Sequence, residues 1–115
     1  MIDFACKQFK IEEIIKCSLM LTKADFKVLV MLSGGSKDWF TTDQIARKLR
    51  LNLSTVQRAV KKLHGSGLVD RNQNNLDNGG YIYIYRAKPK DDVRSVIMGI
   101  VNKWVTKVES ELKKW

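Results

Sequence analysis

The stretch TTDQIARKLRLNLSTVQRAVKKLH, residues 41–64, decides the reading of the chain. Thr41 with Gln44 three residues on is a capping-box start, and Ile45, Ala46 and Leu49 follow at helical spacing. Arg50-Leu51-Asn52 reads as a turn, with Leu51 as a buried plug and Asn52 as the N-cap of the next helix. In that helix, about residues 53–64, Val56, Ala59, Val60 and Leu63 fall at i, i+3, i+4 and i+7 and face inward. The outward face holds Ser54, Thr55, Gln57, Arg58, Lys61 and Lys62. Its first half is polar and suits base edges, and its second half is cationic and suits phosphates. The expectation is a helix-turn-helix whose second helix enters the major groove of duplex DNA.

Charge supports that reading by where it sits. The 115-residue chain has a net charge of +9. Residues 41–90 carry ten Lys/Arg against three Asp/Glu, whereas residues 1–40 and 91–115 are each close to balance. A polyanion footprint is concentrated in this way, while a solubility charge is spread. Hydrophobic residues at 44% and charged residues at 29% describe a globular chain with one modest core. No apolar run reaches the roughly 20 residues a membrane span needs. The N-terminus, MIDFACKQFK, lacks a signal-peptide layout. A cytoplasmic protein with no membrane partner is expected.

Outward from the central stretch, residues 3–19 read as an amphipathic N-terminal helix on Ile11, Ile14, Ile15 and Leu19. Thr22 with Asp25 starts a second helix, lined by Phe26, Leu29, Val30 and Leu32 and stopped at Gly34-Gly35. Lys37-Asp38 leads to Trp39-Phe40, a very short strand. Beyond the central stretch, Leu68 to Arg71 reads as a strand, Asn72 to Gly80 as turn chemistry, and Tyr81 to Tyr85 as a second strand. Together they make a hairpin over about residues 68–86, a wing flanked by Arg71 and Arg86. After Pro89 a long helix is expected over about residues 90–113. Its stripe of Val93, Ile97, Ile100, Val101, Trp104, Val108 and Leu112 is too apolar to leave exposed, which points to a two-fold partner.

These elements describe a mainly α fold with a small β-hairpin. It divides into an N-terminal helix at 1–20, a winged-helix core at 21–88 and a C-terminal dimerisation helix at 89–115 of one domain. Within it, Ser54, Thr55, Gln57 and Arg58 are the candidate base contacts. Arg47, Lys48, Lys61, Lys62, Arg71 and Arg86 are the candidate phosphate contacts.

Several pieces together resemble an archaeal winged-helix transcription regulator of the TrmB/MarR type. They are Gln44-Ile45-Ala46 with Leu49, the run Leu51 to Leu63, Gly67-Leu68-Val69 with Arg71, and Gly80-Tyr81-Ile82-Tyr83 running on to Tyr85-Arg86-Ala87-Lys88-Pro89. The resemblance implies duplex DNA binding by a homodimer built on the N- and C-terminal helices. It does not extend to the sugar-binding domain of larger TrmB proteins or to a marked ligand pocket, so no small-molecule effector follows from it.

Two alternatives stay open. One is a winged helix that docks on protein. The other is a thiol switch on Cys6 and Cys17, which otherwise read as small buried hydrophobes. With a single histidine, His64, and two cysteines, no metal site is expected. No cofactor and no enzymatic activity are expected either, because no phosphate loop or carboxylate pair is present.

Overall fold

The computed structural model describes residues 1–34 and 38–115. In chain order the elements are β1 (Ile2–Phe4), β2 (Lys7–Phe9), α1 (Ile11–Ser18), α2 (Lys23–Leu32), β3 (Phe40–Thr41), α3 (Thr42–Leu49), α4 (Leu53–Gly65), β4 (Val69–Asn75), β5 (Tyr81–Ala87) and α5 (Lys90–Lys114). β1 and β2 pair antiparallel as a separate ribbon, and the second sheet runs in the order β3-β5-β4, also antiparallel. Three short helices, a hairpin behind α4 and a third strand before α3 make a winged helix-turn-helix extended by a long C-terminal helix. Among the described residues no helix is long and apolar enough to cross a membrane.

The core is a contact between α2, α3 and α4, closed by the base of the wing. Val28, Ile45, Val56, Ala59, Leu63 and Leu68 are wholly buried, and Val60 and Val69 nearly so. The inward stripe of α4 is thus as expected, each large member contributing about 1.5–3 kcal/mol by leaving water. On α2 the buried face is Val28, Leu29 and Leu32, while Val30, expected inside, is exposed. Helix α2 closes at Ser33. The Gly35 half of its expected stop, and Lys37, lie outside the described residues.

The expected capping boxes are formed. The Gln44 amide donates to Thr41 Oγ1 at 3.1 Å, and the Thr41 amide donates to Gln44 Oε1 at 2.9 Å. Arg50 ends α3 in the left-handed conformation, φ 55°, and so reverses the chain in one residue. Leu51 is only half-buried, and the Asn52 side chain makes no cap hydrogen bond, although its carbonyl accepts the first bond of α4.

Three segments depart from expectation. Residues 2–9 form the β1–β2 hairpin instead of a helix, so the N-terminal helix begins only at Ile11. Ala5 makes the turn at φ 51°, and Ile2 and Phe4 stay exposed. Strands of three residues carry too little alternation to stand out against the helical spacing that follows. Cys6 and Cys17 are free and exposed, not buried. The wing is longer than expected, because Asn72 to Asn75 belong to β4 and the turn shrinks to Leu76–Gly80. Amide residues are poor strand formers alone, but each faces a Tyr or Ile of β5: Asn72↔Ile84, Gln73↔Tyr83, Asn74↔Ile82, Asn75↔Tyr81. Gly79 and Gly80, at φ 85° and 81°, supply the turn that lets the register close.

Between α2 and α4 lies one ion pair that the hydrophobic pattern does not announce. Lys62 Nζ sits 2.7 Å from Asp25 Oδ2 and also donates to the Met20 carbonyl at 3.2 Å. The Thr22 amide donates to the same carboxylate oxygen at 2.9 Å. Burial pushes the Asp25 carboxyl up, but the Lys62 hydrogen bond, the Thr22 backbone and side chain, and the Lys62 charge outweigh it and hold it below the ordinary value. A carboxylate lowered in the folded state adds stability above its ordinary value, and that stability is lost as pH falls through the folded value. Asp25→Asn is therefore expected to cost about 1–2 kcal/mol at pH 7, moderated because the Lys62 side chain is 40% exposed. The deficit should shrink once the pH drops below 3.8, the ordinary value for this carboxyl. Urea unfolding of both proteins at pH 7 and pH 3 measures this, and an equal deficit at the two values would contradict it.

Candidate nucleic-acid interface

Helix α4 presents two unlike sides because its apolar positions repeat every three or four residues. With Val56, Ala59, Val60 and Leu63 inside, Ser54, Gln57, Arg58 and Lys61 are left exposed, and Thr55 half-exposed. The polar-then-cationic order expected along this face is present on an open surface. Among the described residues, Lys48, Arg58 and Lys61 take part in no ion pair. Arg47 pairs with Asp43 at 2.9 Å, but both side chains are well exposed, and such a pair is readily exchanged for another anion.

The remaining candidate cations are engaged by the fold. Lys62 is on the outer side of α4 by spacing, yet its ammonium turns back to Asp25 and closes the α2–α4 contact. Its charge is thus already partnered within the fold. Arg86 lies over the Trp39 ring at 4.3 Å and 3.5 Å from Asp70, and Lys88 donates to Asp70 at 2.9 Å. The Lys88 hydrogen bond first, opposed by burial, and then the charges of Lys88 and Arg86 hold the Asp70 carboxyl below its ordinary value. Arg86 thereby braces the base of the wing through Trp39 and Asp70. Arg71 stays exposed, with its guanidinium over the Tyr83 ring at 4.4 Å.

The wing and α4 stand on either side of an open cleft of about 450 Å³, bordered by Gln57 on one side and Ile82 and Tyr83 on the other, with Asp43 at the start of α3. Tyr81 and Tyr83 are absent from the expected contacts. The signal that could have found them is present in the sequence: alternate tyrosines in one strand, with arginine and amides spaced to face them in the other. Burial along β5 follows distance from the body, since Ile84 and Tyr85 are buried and Tyr81 to Tyr83 are not.

The apolar stripe of α5 divides in two. Val93, Ile97 and Ile100, with Val96, are half-buried against the core of their own chain and Val101 is half-buried, so these members of the expected dimer seam are partly covered. Trp104, Val108 and Leu112 remain exposed, together with Met98, Val105 and Trp115, which lie outside the expected stripe. Trp104 also meets Phe4 of the N-terminal ribbon edge-on, at 6.3 Å.

Comparison with known proteins places this architecture. The "Uncharacterized protein MJ1503" of Methanocaldococcus jannaschii is 32% identical over 96% of this chain and 79% of its own length. A solved structure described as a possible transcriptional regulator from Methanosarcina mazei Go1 is 49% identical, with a TM-score of 0.95 over 100% of this chain and 96% of that one. Two more distant structures share the fold. A MarR-family transcriptional regulator from Silicibacter pomeroyi has a TM-score of 0.51 at 18% identity, over 90% of this chain and 77% of that one. A mutant of S. aureus MepR bound to an oligodeoxyribonucleotide has a TM-score of 0.56 at 15% identity, over 87% and 72%. The likeness to MarR regulators therefore holds for the fold, while the family assignment comes from the profile of the DnaD N-terminal domain, which matches residues 9–108: the chain belongs to that family.

Proposed function

We propose that this protein is a sequence-specific regulator of transcription that binds duplex DNA as a homodimer and acts in the cytoplasm. In this reading α4 lies in the major groove and the β4–β5 hairpin flanks it as a wing. The observation that carries the proposal is the exposed face of α4, where Ser54, Gln57, Arg58 and Lys61 stand clear of a wholly buried apolar stripe. Gln57 and Arg58 have the donor and acceptor groups for base edges, with Ser54 and Thr55 beside them. Lys48 and Lys61, with Arg47 and Arg71, would serve phosphates. The relative from Methanosarcina mazei, described as a possible transcriptional regulator, supports the same reading.

Dimerisation is proposed from α5. A helix of 25 residues is about 37 Å long, and its outer half carries Trp104, Val105, Val108, Leu112 and Trp115 uncovered. Trp104 is 55% and Leu112 59% exposed. A second copy related by a two-fold axis would bury that seam on both chains at once.

Two outcomes are expected. In selection from a random duplex pool followed by binding titrations, Lys61→Ala weakens all sequences alike and lowers the slope of log affinity against log salt by about one. Arg58→Ala relaxes the preference at one position by about 1–3 kcal/mol. Unchanged slope and preference in both variants would take α4 out of the interface. In sedimentation at micromolar concentration the parent is a dimer, and Val108→Asp combined with Leu112→Asp is a monomer with unaltered helical signal. A monomeric parent would overturn the seam.

A further inference from the structure

One face of the wing carries aromatic side chains that the proposed duplex contacts leave unused. Arg71, Gln73 and Asn75 face Tyr85, Tyr83 and Tyr81 in the antiparallel register, so they share one face of the hairpin. At the body this face is core, where Tyr85 is only 6% exposed. Further out the same face runs into solvent, with Tyr83 38% and Tyr81 54% exposed. The two outer rings lie 5.4 Å apart at 65°, edge to face, so they are not stacked on each other. Arg71 covers one face of Tyr83 and keeps its charge at the surface. Gln73 and Asn75 add amides that both donate and accept.

The tip of the hairpin argues against simple groove insertion. A cationic wing tip enters the minor groove with Arg or Lys. This turn is Leu76-Asp77-Asn78-Gly79-Gly80, whose single charge is a carboxylate that phosphates repel. What the hairpin offers lies on its flank: exposed tyrosine rings, a guanidinium and amides, next to the cations of α3 and α4. Aromatic stacking with cationic support is the chemistry that holds unpaired bases, since every base has a π-face.

We propose that the Tyr81–Tyr83 face of the wing is a stacking surface for unpaired bases of single-stranded DNA adjoining the duplex that α4 holds. The inference rests on the duplex-binding reading for where that duplex lies, and it names a preferred substrate, a duplex with a single-stranded extension. Arg71 meets the backbone phosphate where duplex and single strand join, and Gln73 and Asn75 reach the base edges.

The test compares a blunt duplex with the same duplex carrying a single-stranded thymidine extension, by fluorescence anisotropy on the full chain. The parent is expected to favour the extended duplex. Tyr83→Leu and Tyr81→Leu together should lower affinity for the extended duplex by roughly 5- to 150-fold, the range for losing a stacked base, and leave blunt-duplex affinity within about twofold. Tyr83→Phe with Tyr81→Phe should restore the preference, because the ring is kept. A parent that binds both duplexes equally overturns the stacking surface and leaves the duplex reading standing. So does an equal loss on both duplexes in the Leu variants, or a loss in the Phe variants, which would make the tyrosines backbone or hydroxyl contacts. Binding to neither duplex overturns both readings.

Discussion

Everything at the interface depends on the burial of one stripe of α4. Val56, Ala59, Val60 and Leu63 are excluded from water almost completely, and no rotation of the helix could keep them so. That fixes which side chains face outward and aims them together. The Asp25–Lys62 pair adds a directional fastening to this non-directional burial, tying α4 to the start of α2 at a point where the carboxylate is also held by the Thr22 cap. The polar face of α4 is thus a by-product of core packing, and its geometry is as rigid as the core that sets it.

The excess of positive charge in the middle of the chain does two kinds of work. Lys62, Arg86 and Lys88 are taken up by Asp25 and Asp70, where they hold α2 to α4 and brace the base of the wing. Lys48, Arg58 and Lys61 stay available to an external anion. A count of basic residues cannot separate the two groups, because the separation is made by carboxylates distant in sequence that the fold brings near. Arg86 illustrates the point, since Asp70 directly across the β4–β5 ladder decides its direction.

Legibility followed the strength of local periodicity. The α3–turn–α4 unit could be read almost residue by residue, because its caps and its spaced apolar positions agree. The extent of α5 was legible for the same reason, with Pro89 and Asp91-Asp92 marking its start. The β1–β2 ribbon was not, since three-residue strands carry no period of their own. Asn72 to Asn75 were hidden because their conformation is imposed by partners on β5 and not by their own preference. At the site, α4's outward face followed from its spacing, while the internal partners of Lys62 and Arg86 were not legible because spacing tells which way a Cβ points and not where a long flexible chain ends. The tyrosines of the wing were seen as strand formers only, as their exposure depends on how far the hairpin projects.

The meeting of Phe4 with Trp104 has a consequence for biogenesis. Those two rings are separated by about a hundred residues, so at ribosomal speeds Trp104 is made roughly 5–20 s after Phe4. During that interval α2, α3 and α4 can assemble on contacts close in sequence, while the N-terminal ribbon still lacks its aromatic neighbour on α5. The order of synthesis therefore favours completion of the α2–α4 core first and of the clasp between the ribbon and α5 afterwards.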